Sequence, residues 1–157
     1  MSVLRDYIIN DLTNKMDAVA SWICDDMITH LMNPPVYRKN NNVDTGALLH
    51  SIRHEIETGP DSVTVYIKAD AKNPNNGAEY AEFIELGTGA AHGRPGGRVG
   101  SWRYQDRHGQ WHTTDGLEAS PFIEPAVEEH MDDIKKLADE VVFDLEKYWR
   151  LKGGERS

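Results

Sequence analysis

Two glutamates three residues apart, Glu82 and Glu85, open the part of this chain richest in groups that could do chemistry. A carboxylate pair can divide into general acid and general base. Six glycines follow within residues 87–100, Gly87, Gly89, Gly93, Gly96, Gly97 and Gly100, as a phosphate cradle would have. His92, His108 and His112 stand close by as candidate metal ligands. Each reading meets a physical objection. A P-loop needs lysine followed by serine or threonine at a helix start, and a dinucleotide fingerprint needs a strand before it and a helix after it. Here a hairpin pattern comes next. His108 and His112 are four apart across a turn, not on one helix, so the zinc-helix geometry fails. Glu82 and Glu85 lie in a short amphipathic element, where such residues form a solvated edge or pair with Arg94 or Arg103. Spacing supports no Ser-His-Asp or Cys-His arrangement. We therefore expect no catalytic residue, no cofactor and no metal.

A basic patch is better founded. Between Gly87 and His112 the ionised residues are Arg94, Arg98, Arg103 and Arg107 against Asp106. Arginine beside Trp102, Tyr104 and Trp111 is interface composition, because guanidinium stacks on rings and pairs with carboxylates. The competing reading is a charge-balanced loop folded onto its own domain. If the patch is a contact, the basic loop of one subunit can meet an acidic helix of the next, and such surfaces build closed rings.

Periodicity supplies the elements that must position these groups. Ile9, Leu12, Met16, Val19, Ile23, Met27 and Leu31 step by three or four and predict a helix over residues 3–31. Pro34 and Pro35 end it. Asp44 or Thr45 can cap a short helix carrying Leu48 and Ile52 on one face. The period then changes to two. Residues 54–58 and 62–68 read as strands joined by Gly59-Pro60-Asp61. Residues 78–86 fit a short helix slightly better than a strand. Residues 102–105 and 110–113 read as a second hairpin around Asp106-Arg107-His108-Gly109. Pro121 begins a last helix whose stripe runs Val127, Met131, Ile134, Ala138, Val141, Leu145 and Tyr148. The expected fold is α+β: a small antiparallel sheet, two long amphipathic helices at the two ends of the chain, and long mobile loops. Residues 1–151 form one domain and 152–157 a disordered tail.

Bulk properties bound the function. The formal charge of −9 argues against a general binder of phosphate backbones. A hydrophobic content of 39% is low enough to predict long exposed loops or surface covered on assembly. The only cysteine, Cys24, lies in a helical pattern and reads as a small buried hydrophobe. There is no signal-like N-terminus and no apolar run of membrane-spanning length, so we expect a soluble protein.

The ordered blocks resemble a known family. Asp44-Thr45-Gly46-Ala47-Leu48 with Ser51-Ile52 comes first, then a hairpin, then Tyr80-Ala81 with Glu85-Leu86-Gly87-Thr88-Gly89. Gly116 with Ala119 and Pro121-Phe122-Ile123-Glu124-Pro125-Ala126 precede the final helix. This order, over residues 4–148, resembles the neck family of long-tailed phages and prophages, variously called head–tail joining, tail-completion or minor tail proteins. The resemblance implies a non-enzymatic virion structural protein, assembled in the host bacterial cytoplasm, that forms a homo-oligomeric ring between connector or neck proteins and tail-tube or tail-terminator proteins. DNA would pass through the lumen without specific binding, and no membrane would be involved. On this reading Asp44, Thr45, Gly46, Tyr80, Glu85, Gly87, Thr88, Gly89, Pro121, Phe122 and Pro125 define the fold, and Arg94, Arg98, Trp102, Arg103, Tyr104 and Trp111 form the contact surface. The glycine-rich loop and residues 102–114 depart from the pattern, and partner specificity would vary there. The alternatives are a metal-dependent nucleic-acid-processing enzyme built on Glu82, Glu85 and the histidines, and a cytosolic adaptor unrelated to phage.

Overall fold

A computed structural model describes residues 2–33, 46–74, 76–106 and 108–154. Helix α1 (Ser2–Met32) is followed by the short helix α2 (Ala47–Ser51) and the antiparallel strands β1 (Ile52–Thr58) and β2 (Val63–Ala69). Helix α3 (Ala81–Leu86) leads through a 3-10 turn (Ala90–His92) to the strands β3 (Trp102–Gln105) and β4 (Trp111–Thr114). Helices α4 (Ile123–Glu129) and α5 (Met131–Gly154) complete the chain. The class is α+β, with two separate two-stranded sheets in place of one small sheet.

The core forms at the C-terminal half of α1. Val19, Ile23, Met27 and Leu31 recur every four residues and are all buried. They meet Leu48 from α2, Ile52 from β1, Ala81 and Ile84 from α3, and Ala126 from α4, with Phe122 fully enclosed. The same stripe continues toward the N-terminus through Met16 and Leu12, but there the cover is incomplete. Those residues line an apolar groove of about 510 Å³ between α1, β2 and α5.

In the first hairpin Ile52 faces Ala69, His54 faces Ile67 and Ile56 faces Val65, so one face is apolar and turned toward α1. The other face is ionic. Arg53 grips Asp70 through both terminal guanidinium nitrogens, at 2.6 and 2.7 Å, and Lys68 bonds Glu55. Gly59 donates its amide to Ser62, which closes the turn at 2.8 Å.

Three expectations change in detail. Gly46, with φ 63°, holds the N-cap of α2 and makes no side-chain cap bond, while Asp44 and Thr45 lie outside the described residues, as does the polar segment 37–42. The single last helix is two: α4 stops at His130, whose backbone leaves helical geometry at φ −106° and ψ 10°, and α5 starts beyond it. Helix α5 also runs to Gly154, so residues 152–154 of the expected tail are helical, and 155–157 lie outside the described residues.

Candidate interaction surface

The two blocks that begin and end residues 80–126 lock together. Glu85, in the last turn of α3, places its carboxylate against the start of α4. Its oxygens accept the backbone amides of Phe122, Ile123 and Glu124 at 2.7, 2.8 and 2.9 Å. The first amides of any helix lack partners within it, and the helix dipole favours an anion there. Glu85 therefore caps a helix that begins thirty-eight residues further along the chain. The Ser120 amide donates to the Ile84 carbonyl at 2.8 Å, which adds a fourth tie. Pro125 sits in the first turn of α4, where its missing amide costs no hydrogen bond, and Pro121 is half-buried beside Phe122. Tyr80 occupies the N-cap of α3, and its carbonyl accepts from Phe83 and Ile84.

A second lock follows immediately. Thr88 and Leu117 exchange backbone hydrogen bonds at 2.7 and 3.0 Å, and the Thr88 hydroxyl accepts from the Leu117 amide as well. This approach leaves no room for side chains on the flanking residues. Gly87 has φ 72° and ψ −177°, a backbone state open essentially only to glycine. A β-carbon on it would lie 2.6 Å from the Leu117 carbonyl oxygen. On Gly89, with φ 83°, it would strike the Asp115 carbonyl oxygen, and Gly116 faces Thr88 in the same way. Residues 84–89 and 115–124 thus form one clasp.

Between its jaws lie the predicted contact residues. Arg94 turns inward: one guanidinium nitrogen donates to the Gly87 carbonyl at 3.0 Å, another bonds Glu82, and the plane lies over Phe83. Arg98 lies 5.4 Å from the centroid of Trp102, and Arg103 5.1 Å from that of Trp111. Tyr104 stacks on His112, and His112 bonds Asp106 at 2.7 Å. Asp106 also accepts the amides of His108 and Gln110, which shapes the β3–β4 turn. The His112 bond, then the Gln110 amide, holds the Asp106 carboxyl below the usual carboxylate range. Register divides the hairpin into two faces. Trp102, His112 and Thr114 are partly covered, whereas Arg103, Gln105, Trp111 and Thr113 share a face on which all four are exposed. Arg107 lies outside the described residues.

The groups proposed for other chemistry are dispersed. Glu82 pairs with Arg94 and Glu85 caps α4, so they do not act on a common point. His92 faces Asp115 at 3.4 Å, away from the His112–Asp106 pair. Among the described residues no group of three histidine, cysteine or acidic side chains could hold a metal ion.

Three features escaped the sequence. His54 lies between Asp17, at 2.8 Å, and the Cys24 sulfur, at 4.0 Å. The order mimics a nucleophile–base–acid relay. Yet Cys24 is only 7% exposed, and burial pushes its thiol pKa up, opposite to the shift a thiolate nucleophile needs. His130 bridges Asp26 at 2.6 Å and Asp133 at 3.2 Å, beside the Trp22 ring. Burial alone would lower its pKa, but the two carboxylates outweigh burial and raise it. The groove is the third. Only the apolar stripe of α1, longer than the core needs, could have signalled any of them.

No helix among the described residues is long and apolar enough to cross a membrane. No family model, curated protein or solved structure matches this chain.

Proposed function

We propose that this chain is a non-enzymatic structural subunit of a long-tailed phage or prophage virion, joining head to tail or completing the tail as part of a ring around the DNA channel. The observation that carries this reading is the clasp. Two of the three blocks that resemble the neck family, residues 80–89 and 116–126, converge on one another and hold α3 to α4, which supports a fold-defining role for them. The side chains left for partners are the arginines and aromatics of the loop and hairpin, a composition typical of protein interfaces. Partners are a second copy of the chain, the connector or neck proteins, and the tail-tube or tail-terminator proteins. An acidic ring suits a conduit, because a lumen attractive to phosphate would retain the DNA.

The test is electron microscopy of an induced lysate from a prophage lacking this gene product. DNA-filled heads beside finished, unattached tails are expected for a joining role. Heads alone, or tails of uncontrolled length, would move the role to tail completion. Normal infectious particles would overturn the structural reading.

A further inference from the structure

The apolar groove between α1, β2 and α5 is open to solvent. Val65 and Ile67 form its floor, Leu12 and Met16 one wall, Leu137 and Ala138 the other. Its surroundings are acidic. Helix α1 carries Asp6, Asp11, Asp17, Asp25 and Asp26 against Arg5 and Lys15. The first half of α5 carries Asp132, Asp133, Asp139 and Glu140 against Lys135 and Lys136. At the end next to Leu12 and Val141, Lys15 is shared by Asp11 at 2.8 Å and Glu140 at 2.7 Å, one cation for two anions.

The same chain holds the complement. Trp111 is 59% exposed on the open face of the β3–β4 hairpin, with the Arg103 guanidinium already stacked on it. Neither β3 nor β4 makes more than marginal contact with α1, β2 or α5 of its own chain. An apolar slot between two net-acidic helices, with Asp11 and Glu140 at one end, matches a tryptophan escorted by an arginine. The ring is buried while the guanidinium meets carboxylate, and tryptophan and arginine are enriched among the residues that dominate interfaces.

We propose that the groove receives the Trp111–Arg103 face of the hairpin from a second copy of this chain. The inference rests on the reading of the protein as a self-assembling subunit and adds the pair of surfaces that would meet. Groove and hairpin are different patches, so the contact is heterologous, and its repetition builds a ring when the rotation closes.

Sedimentation velocity on the full chain tests it, from about 1 µM to about 1 mM, the range of weak interfaces. Two variants alter opposite sides: Trp111→Ala removes the anchor, and Ala138→Arg, at an exposed helical position, obstructs the groove. Each is expected to weaken self-association by about thirtyfold or more, the scale of losing an interface anchor. Far-ultraviolet circular dichroism and melting curves should match those of the unmodified chain. Mixed in equal amounts, the two variants should form dimers and stop there, because one intact groove and one intact hairpin remain between them. A second measurement does not depend on the arginine being tolerated. Trp111→Cys subunits mixed with Ala138→Cys subunits should give an intermolecular disulfide on mild oxidation. Oligomers indifferent to both variants, with no such cross-link, would overturn this contact and leave the ring reading standing. Loss of assembly in Trp111→Ala alone, without the cross-link, would overturn the groove as acceptor. A chain that stays monomeric across the whole range would overturn self-assembly altogether and leave the groove to a different protein.

Discussion

Glu85 directs both carboxylate oxygens at the amides of Phe122, Ile123 and Glu124. Anionic acceptors make stronger bonds than neutral ones, and the alternative for these amides is an uncapped helix start. Glu85→Ala should therefore cost about 2 kcal/mol of folding stability, the upper range for a cap. Gly89→Ala should cost at least as much, because the new methyl meets the Asp115 carbonyl and the backbone is left-handed there. Urea denaturation of both variants checks these values, and unchanged midpoints would contradict the clasp. The resemblance marks Glu85 as fold-defining, but its capping of α4 was not legible in the sequence. Its spacing from Glu82 invites an acid–base pairing, while its true partners are amides, which have no residue type, thirty-eight positions away. The glycines were legible as glycines, but what they make room for, Leu117 and Asp115, was not.

At the scale of elements, the break between α4 and α5 matters most. The apolar stripe Val127, Met131, Ile134 runs straight through it, and histidine is no helix breaker, so local pattern predicts one helix. Tertiary contacts decide otherwise: His130 is held by Asp26 of α1 and Asp133 of α5, which sets where α4 ends. His30 and Glu129 add a parallel link at 2.9 Å. Because its folded pKa is raised, the protonated His130 contributes stability that is fully present below the ordinary imidazole value of 6.5. That contribution fades as pH rises through the folded value. His130→Gln should thus lower stability by about 1–2 kcal/mol at acid pH, the scale of a charge-assisted bond, and by less in alkali. Thermal melts of both proteins from mildly acidic to mildly alkaline pH check the sign. A gap that widens with pH would refute it. By contrast α1 and the first hairpin were readable, since long stripes and strict alternation survive any tertiary context. The helix α3 is too short for its period to speak clearly, so the pattern favours helix over strand there only slightly.

For the whole molecule, charge is the governing quantity. The chain carries a formal −9, and the segment from Gly87 to His112 is a locally basic stretch, with four arginines against Asp106. Arg94 is committed to Glu82, and Arg98 and Arg103 lie on tryptophan rings. A net charge of −9 works against binding phosphates. Duplex DNA should accordingly show no mobility shift with this protein at about 0.15 M salt, where screening acts beyond about 8 Å. A salt-sensitive shift would argue for a basic surface made by assembly and against an acidic conduit. The α+β class was legible from the order of periods. The division into two sheets was not, because register within each hairpin is local and says nothing of whether the hairpins join.

The direct pairing of Thr88 with Leu117 has a consequence for how this sequence can diversify. The backbone departs from the body of the protein and returns to it at one point, so residues 89–116 form a closed excursion. Doubling such an excursion adds only about 0.6 kcal/mol of closure entropy. Lineages could lengthen, shorten or exchange it as a cassette while the helices beneath keep their register, and a new recognition surface could be acquired without inventing a new protein.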